Sequence, residues 1–315
     1  MKTALIIHPE EITKKWIDRM ADAGVSVLGI HPKGGRLAPK YLLELLERMK
    51  TREYRELIDY AKMRGLAVEY EFHAAGYLLP REFFAAYPEY FRVNAQGVRT
   101  NDWNFCVSNE EALRLFAHRA AELARSLYGS EPNFYFWMDD GKDTRCMCEK
   151  CRHFSASDQQ LIAVNAMAKE IRMHIPRARV SYLAYMDSVL LPEKISPCEG
   201  VFLEYAPFEK YTAKGEDSPA LIAQEREMLL PLIRFFGKDG AKVLEYWYDN
   251  SMYSGWQKPP KKFTLDEAAM DADIAYYRET GFEYISSFAC FLGEDYEELY
   301  GEVDISEYGK ILALR

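Results

Sequence analysis

Eight short apolar segments, most of them followed by helical sequence, constrain the fold of this chain more than any other feature. Strands separated by helices favour parallel βαβ units, and eight of them in 315 residues are typical of one (β/α)8 barrel. The predicted strands are residues 4–8, 25–31, 67–73, 134–139, 180–185, 201–205, 243–247 and 284–288. Because no repeat, low-complexity tract or linker interrupts this pattern, we predict one barrel domain over residues 1–315.

A doubly wound sheet is the alternative architecture, and it would need a glycine-rich phosphate turn after an early strand. HPKGGR at 31–36 matches such a turn only weakly. Helices are predicted at 9–23, 39–64, 110–128, 158–174, 219–236, 264–280 and within 295–314, with an interruption near Thr51. Residues 74–104 form a long predicted loop, and loops of that length inside a compact domain are usually functional.

The charge distribution bears on the partners of this protein. The net charge is -9 and acidic residues are spread along the chain, which argues against nucleic acid or an anionic membrane as a partner. The N-terminal sequence MKTALIIHPEE lacks the apolar stretch and cleavage site of a signal peptide. We therefore expect a cytoplasmic protein, in which cysteines are thiols or metal ligands rather than disulfides. Cys198 and Cys290 are expected to be buried single thiols.

Polar and aromatic side chains occur where the predicted strands end, and in a (β/α)8 barrel the carboxyl ends of the strands form the active site. The residues expected to bind substrate are His31, His73, Tyr185, Glu204, Tyr205, Glu245, Tyr246, Trp247, Tyr248 and Asp249. Aromatic rings stack on sugar rings, and carboxylates accept hydrogen bonds from hydroxyl groups. A carbohydrate substrate is therefore expected. Because side chains alternate along a strand, only one set within 245–249 can face the mouth, and the sequence does not choose between them.

Two adjacent carboxyl groups, Asp139 and Asp140, end the fourth predicted strand and precede Gly141. Two carboxyl groups at short range cannot both ionise freely, so the pKa of one rises and that group can act as an acid near neutral pH. Hydrolysis of a glycosidic bond needs a proton donor and a second carboxylate. We therefore predict that Asp139 and Asp140 are catalytic. The alternative is an Asp that only caps the following loop.

A cysteine cluster follows the two acids, with the spacing C-x-C-x-x-C. Together with an upstream thiol, the predicted metal ligands are Cys106, Cys146, Cys148 and Cys151. Four thiolates make a closed tetrahedral zinc site, which leaves no open position and is therefore structural. Such a site would fasten the loop after the fourth strand to the loop after the third. His153 is an alternative ligand, and unliganded thiols are the alternative to zinc.

Four segments together resemble a known group of proteins. They are FCVSN at 105–109, W-x-D-D-G at 137–141, the C-x-C-x-x-C segment, and a helix with Asn165 followed by VSYLAYMDSVLLP at 180–192. Over roughly residues 65–290 the chain resembles bacterial glycosidase-like barrels grouped as a domain of unknown function. That group is similar to endo-β-N-acetylglucosaminidases and, more distantly, to β-hexosaminidases and α-glucuronidases.

The resemblance implies a retaining, substrate-assisted mechanism, in which the 2-acetamido oxygen of the substrate attacks the anomeric carbon. Asp139 would orient the acetamido group, and Asp140 would protonate the leaving oxygen as general acid. The sequence departs from the hexosaminidase pattern at Asp140, where that pattern has Glu. The departure weakens the expectation of an acetamido sugar more than the expectation of a glycosidase.

The leading interpretation is a glycoside hydrolase that acts on a small oligosaccharide or glycoside, and no organic cofactor is expected. A non-catalytic carbohydrate-binding barrel is the first alternative. The second is a metal-dependent hydrolase that uses His8, His31, His73 and carboxylates as ligands.

Overall fold

A closed barrel of eight parallel strands forms the centre of the molecule, and each strand pairs with the next in chain order. The computed structural model describes residues 1–212, 214, 216 and 218–310. The strands are β1 Lys2–Ile7, β2 Val27–Ile30, β3 Ala67–His73, β4 Asn133–Trp137, β5 Arg179–Ala184, β6 Val201–Tyr205, β7 Lys242–Glu245 and β8 Tyr284–Phe288. β8 pairs with β1, which closes the barrel. The predicted (β/α)8 barrel is therefore confirmed.

Helices surround the strands. They are α1 Lys14–Asp22, α2 Ala38–Arg48, α3 Arg52–Met63, α4 Ala75–Leu78, α5 Glu110–Ser126, α6 Ala156–His174, α7 Glu209–Thr212, α8 Ser218–Glu227, α9 Leu229–Phe236, α10 Asn250–Tyr253, α11 Glu267–Thr280, α12 Glu294–Tyr300 and α13 Ser306–Lys310. Among the described residues, no helix is long and apolar enough to cross a bilayer.

Local capping explains where several helices begin. The Thr13 hydroxyl accepts a hydrogen bond from the Trp16 amide at 3.1 Å, so α1 starts later than predicted. The Thr51 hydroxyl accepts one from the Tyr54 amide at 3.3 Å, which separates α2 from α3 as expected. The segment predicted as one helix at 219–236 is two helices, α8 and α9. Of the last predicted helical stretch, residues 311–314 lie outside the described residues.

Two apolar layers hold the barrel together. Leu5 and Ile7 of β1 point outward and pack in the large cluster between strands and helices. Ile6, between them, points inward and packs with Tyr135 and Trp137 inside the barrel. Gly29 of β2 faces the same interior, and a Cβ there would lie 2.5 Å from Ile6 Cγ1. A larger residue at position 29 would therefore collide with the inner layer.

A network of buried charges also lies inside the barrel. The Lys242 ammonium forms salt bridges with Glu71 and, at 3.2 Å, with Glu204, and these three side chains are fully buried. Glu69 accepts hydrogen bonds from Tyr135 at 2.7 Å and from Tyr284 at 2.6 Å. The desolvation of these charges is offset only while the ion pairs stay intact.

Candidate active site

A cavity of about 680 Å³ opens at the carboxyl ends of the strands. This volume lies in the range of small-molecule binding sites. All eight strands or the loops after them contribute lining residues. The polar and charged lining residues are His8, His31, Lys33, Tyr41, His73, Asp140, Tyr185, Tyr246, Asp249, Ser251 and Lys258. This cavity is the candidate active site, because it occupies the end of the barrel where catalysis occurs in this fold.

Three histidines from consecutive strand ends form one wall of the cavity. His8 Nδ1 donates a hydrogen bond to the His31 carbonyl at 2.7 Å, and His31 Nδ1 donates one to the Glu71 carbonyl at 2.7 Å. His73 Nδ1 donates one to the Met138 carbonyl at 2.6 Å. Because a carbonyl oxygen can only accept, each Nδ1 carries a proton, and in the neutral form of the ring Nε2 is then unprotonated.

Burial keeps two of these imidazoles uncharged. Desolvation lowers the pKa of His8, although the hydrogen bond to the His31 carbonyl raises it. Desolvation lowers the pKa of His31 well below its ordinary value, and the neighbouring His8 and His73 lower it further. At neutral pH His8 and His31 are therefore hydrogen-bond acceptors at Nε2 rather than cations.

Asp140, one of the two predicted catalytic acids, lines this cavity. Its Oδ1 accepts a hydrogen bond from the Tyr185 hydroxyl at 3.1 Å, and its Oδ2 accepts one from the Gly35 amide at 3.2 Å. His73 Nε2 lies 3.8 Å from the same Oδ1. A Cβ at Gly34 would come within 3.0 Å of Asp140 Oδ2. The glycine pair after β2 therefore permits a close approach of backbone to carboxylate.

Asp139 points away from the cavity. Its Oδ2 forms a salt bridge with the Arg81 guanidinium, and its amide donates a hydrogen bond to Asn104 Oδ1 at 2.9 Å. Burial raises its pKa, while the charge of Arg81 lowers it. Asp139 lines a smaller neighbouring cavity of about 40 Å³, and His73, Leu183 and Tyr185 line both cavities. The structure thus separates the two acids, because consecutive residues after a strand project in different directions.

Asp249, at the end of the loop after β7, is the second carboxyl group of the large cavity. Its Oδ1 accepts hydrogen bonds from the Ser251 amide at 3.0 Å and from the Met252 amide at 3.3 Å, which caps α10. Burial raises the pKa of Asp249 to about 6, although the hydrogen bonds from Ser251 and Met252 lower it. A carboxyl group with this pKa is partly protonated near neutral pH.

Tyr185 and Tyr246 were also expected at the mouth, and both line the cavity with His31 and His73. Tyr246 packs against Phe208 and Phe288, with both ring-centroid distances at 5.3 Å. This arrangement provides an apolar, aromatic surface beside the carboxyl groups.

Five residues expected to line the substrate site lie elsewhere: Glu204, Tyr205, Glu245, Trp247 and Tyr248. Glu204 lies inside the barrel and accepts a hydrogen bond from Trp137 Nε1 at 2.7 Å. The Tyr205 hydroxyl donates to the Glu225 carbonyl at 3.1 Å, on the helical side of the barrel. These two residues are therefore corrected from substrate-binding to structural positions.

The same correction applies to three residues near the end of β7. Glu245 accepts hydrogen bonds from Lys210 and Tyr211, both at 2.6 Å, between the barrel and the helices. Trp247 Nε1 donates to Asp273 at 3.0 Å, and Tyr248 stacks on Phe263 with a centroid distance of 5.6 Å. β7 ends at Glu245, so the chain from 246 to 249 turns and strict alternation no longer applies.

Sequence reasoning did not select several loop residues that line the cavity, among them Lys33, Tyr41, Trp256 and Lys258. The sequence did contain a signal for Lys33. The two glycines that follow it indicate a place where the backbone can closely approach another group. The others lie in helices or loops that carry no strand-end signature.

The four predicted metal ligands form one cluster. The Sγ atoms of Cys106, Cys146, Cys148 and Cys151 all lie within 4.8 Å of one another, and they could hold a metal ion. Cys106 Sγ lies 3.7 Å from both Cys148 Sγ and Cys151 Sγ. A tetrahedral zinc site with Zn–S bonds of about 2.3 Å requires Sγ separations of about 3.8 Å.

The surroundings of the cluster favour a thiolate at Cys146, whereas the neighbouring sulfur atoms and burial raise the pKa of Cys106 and of Cys151. Hydrogen bonds from the Cys106 and Cys151 thiols lower the pKa of Cys146, whose Sγ also accepts the Val93 amide at 3.3 Å. His153 is exposed and is not a member of the cluster. Within the described part of the chain, the cavity histidines do not form such a group with one another or with acids.

Solved structures with a similar fold are glycoside hydrolases. A catalytic mutant of Gan42B, a GH42 beta-galactosidase from G. stearothermophilus, is 13% identical with a TM-score of 0.56, and the match covers 99% of this chain and 55% of that one. Endo-glycoceramidase II from Rhodococcus sp., solved as a lactosyl-enzyme intermediate, is 10% identical with a TM-score of 0.55 over 92% of this chain and 73% of that one.

A beta-galactosidase from the Antarctic haloarchaeon Halorubrum lacusprofundi is 13% identical with a TM-score of 0.54, over 99% of this chain and 57% of that one. The chain thus spans little more than half the length of the two beta-galactosidases, and at these identities the likeness shows the fold alone. No curated protein matches the sequence. The family described as Domain of unknown function (DUF4838) matches residues 36–226, and the chain belongs to this family.

Proposed function

We propose that this protein is a glycoside hydrolase that uses Asp140 and Asp249 as its two carboxyl groups. The observation that carries the proposal is that both side chains line the same cavity at the mouth of the barrel, from the loops after β4 and β7. Glycosidic bond hydrolysis needs one carboxyl group to protonate the leaving oxygen and another to act as nucleophile or base. The aromatic surface formed by Tyr246, Phe208 and Phe288 suits the apolar face of a sugar ring.

The environments of the two carboxyl groups suggest different roles. Asp249, with its pKa raised by burial to about 6, suits the proton donor. Asp140 accepts hydrogen bonds from Tyr185 and Gly35, which fix the position of its carboxyl group in the cavity, and we assign it the role of nucleophile or base. The role of general acid, expected of Asp140 from the sequence, therefore passes to Asp249 in this proposal.

The substrate-assisted mechanism implied by the family resemblance requires a carboxylate that orients an acetamido group. Asp139 is salt-bridged to Arg81 and lies outside the large cavity, so we do not assign it this role. We propose the mechanism with two protein carboxyl groups instead. Small glycosides or oligosaccharides are the proposed substrates. The enzymes of similar fold are named as beta-galactosidases and an endo-glycoceramidase, which supports a carbohydrate as the reacting group.

The test compares turnover of nitrophenyl glycosides by Asp140→Asn, Asp249→Asn and the exposed control Asp59→Asn. We expect each cavity variant to lose about 10²–10⁴-fold in kcat/KM. A good leaving group needs little protonation, so Asp249→Asn should retain more activity on dinitrophenyl than on alkyl glycosides. Asp140→Asn should lose activity on both. Unchanged rates in either variant would contradict the proposal, and binding without turnover by the parent would favour a carbohydrate-binding barrel.

We also propose that the cysteine cluster holds a structural zinc ion. The Sγ separations of 3.7 Å match the edge of a tetrahedral four-thiolate site, and four protein ligands leave no position for substrate. Such thiolates persist in a reducing compartment, which fits the expected cytoplasmic location. Elemental analysis also tests the metal-dependent alternative. If a variant without the Cys148 thiol kept its metal and a variant without the His31 imidazole lost it, the metal ion would lie in the cavity instead.

A further inference from the structure

The histidine wall of the cavity, formed by His8, His31 and His73, has a chemistry that the proposed function does not use. Each Nδ1 is bonded to a backbone carbonyl, so each ring is held with its Nε2 available to the cavity. Within the described residues, Nε2 of His8 and of His31 has no hydrogen-bond partner, and Nε2 of His73 has only the 3.8 Å approach to Asp140. The wall therefore presents hydrogen-bond acceptors that a ligand must satisfy.

His8 and His31 do not readily become cations. The centroids of His8 and His31 are 6.0 Å apart, and those of His31 and His73 are 6.3 Å apart. Protonating neighbouring rings at these distances would place like charges together in a buried site. Trp137 and Phe288 pack against His31 with centroid distances of 5.5 and 5.0 Å, and they provide no counter-charge.

The remaining charges of the cavity do not favour an anionic ligand either. Lys33 is paired with Glu10 at 2.9 Å, and Lys258 is paired with Asp295 at 2.6 Å. Asp140 and Asp249 line the same space and repel a carboxylate or phosphate. A ligand that donates hydrogen bonds and carries no negative charge fits these surroundings better than a uronate or a sugar phosphate.

We propose that His8, His31 and His73 bind successive hydroxyl groups of an uncharged sugar ring through their Nε2 atoms, and so select neutral glycosides over uronides. This inference rests on the proposed function, because it names the substrate class of the same cavity. A carboxylate in place of a hydroxymethyl group removes a donor and leaves a buried acceptor unpaired.

The test uses two replacements of His31 that separate its two nitrogen atoms. The Asn side chain can keep the bond of Nδ1 to the Glu71 carbonyl but has no group at the Nε2 position. The Gln side chain reaches the Nε2 position with a carbonyl oxygen but gives up the Nδ1 bond. The exposed His118→Asn serves as the matched control, and thermal unfolding of each variant checks that it folds.

The substrates are the 4-nitrophenyl β-galactoside and β-glucoside, each compared with the corresponding uronide. We expect the parent to prefer the neutral member of each pair by at least about 10²-fold in kcat/KM. His31→Asn should lose about 10–100-fold on the neutral glycosides, because the hydroxyl group that His31 binds then lacks its acceptor. His31→Gln should lose less on the neutral glycosides than His31→Asn. Preference of the parent for uronides, or unchanged rates of His31→Asn on the neutral glycosides, would overturn the proposal.

A binding measurement separates this inference from the proposed function. Calorimetry with galactose, glucose and glucuronate is performed on the parent and on His31→Asn. Neutral sugars that bind the parent, but bind His31→Asn more weakly, sustain the histidine wall even if no glycoside is hydrolysed. Absence of binding by galactose and glucose, or tighter binding of glucuronate, would overturn it.

Discussion

Glu11 shows how one buried carboxyl group links the first and last strands. It lies in the 3-10 turn Pro9–Glu11 after β1, and it accepts hydrogen bonds from the Phe291 amide at 2.7 Å and the His8 amide at 3.1 Å. Phe291 has a φ of 63°, a left-handed conformation that costs energy in a residue with a side chain. The Glu11 carboxyl group therefore supports a strained loop at the cavity.

The pKa of Glu11 makes the stability of the protein depend on pH. Burial raises this pKa from 4.5 to about 7, although the hydrogen bond from the His8 amide lowers it. Between these two values the folded state binds more protons than the unfolded state, so the free energy of unfolding falls as pH rises from 4.5 to 7. Glu11→Gln lacks this titrating group. We therefore expect the free energy of unfolding of Glu11→Gln, minus that of the parent, to increase by on the order of 2 kcal/mol from pH 5 to pH 8.

Denaturant unfolding of the parent and of Glu11→Gln at several pH values measures this difference. The exposed Glu56→Gln is the control, and its difference from the parent should not change over the same range. A constant difference between Glu11→Gln and the parent from pH 5 to pH 8 would contradict the prediction.

Single residues also show where sequence reasoning stops. The sequence predicted correctly that Asp140 follows a strand at the barrel mouth, but it paired Asp140 with its neighbour. In the structure Asp139 forms a salt bridge with Arg81. The second carboxyl group in the cavity of Asp140 is Asp249, which lies 109 positions after Asp140 in the chain. Side-chain direction after a strand depends on the loop backbone, and a distant partner such as Arg81 leaves no mark beside Asp139.

At the scale of elements, the cysteine cluster connects two long loops. Cys106 precedes α5, and the other three thiols lie between β4 and α6. Gln159 of α6 supports the cluster, because its side chain accepts a hydrogen bond from the Cys146 amide at 2.8 Å and donates one to the Cys151 carbonyl at 3.0 Å. The loop that carries Asp140 is thereby attached to the start of the next helix.

Replacing Cys148 with Ser tests this attachment. We expect the purified parent to contain about one zinc ion per chain and the variant to contain much less, because three thiolates bind zinc more weakly than four. The variant should also unfold at a lower temperature. Elemental analysis and thermal unfolding measure both effects. Cys198→Ser, which removes a half-buried thiol far along the chain, should retain the metal. Equal metal content in the two variants would contradict the prediction.

The elements themselves were largely predictable. Apolar runs bounded by helical sequence located all eight strands, because a buried parallel strand requires such a run. The predicted end of β7 was two residues too late, since 246 and 247 remain apolar after the backbone leaves the sheet. Apolar composition alone does not distinguish a strand from a buried turn, and the expected contributions of Trp247 and Tyr248 to the cavity failed for this reason.

At the scale of the whole molecule, the barrel depends on charges in its centre. Lys242 of β7 contacts Glu71 of β3 and Glu204 of β6, so one ammonium group joins three strands across the interior. Desolvation raises the pKa of Glu71, and the positive charge of Lys242 opposes this shift. The sequence predicted Glu71 and Glu204 within strands and Lys242 directly before one, but their convergence follows from the closure of the barrel.

Removing the ammonium group should destabilise the whole fold. We expect Lys242→Met to lower the free energy of unfolding by about 3–5 kcal/mol, because buried carboxylates then lack a counter-charge. Lys50→Met, which removes an exposed salt bridge with Glu47, should change it by less than about 1 kcal/mol. Urea unfolding compares the two variants. Similar unfolding midpoints would show that the interior network contributes little.

The hydrogen bonds of the three histidines to carbonyl groups within or directly after the strands have a consequence for engineering this protein. One half of the cavity is attached to the backbone of the barrel itself, whereas Asp249, Trp256 and Lys258 belong to the loop after β7. Replacing that loop with another would change the side chains that contact the leaving group of a bound glycoside. The positions of the three histidines would not change in such a replacement. Substrate specificity is therefore easier to alter on the side of the loop after β7 than on the side of the histidine wall.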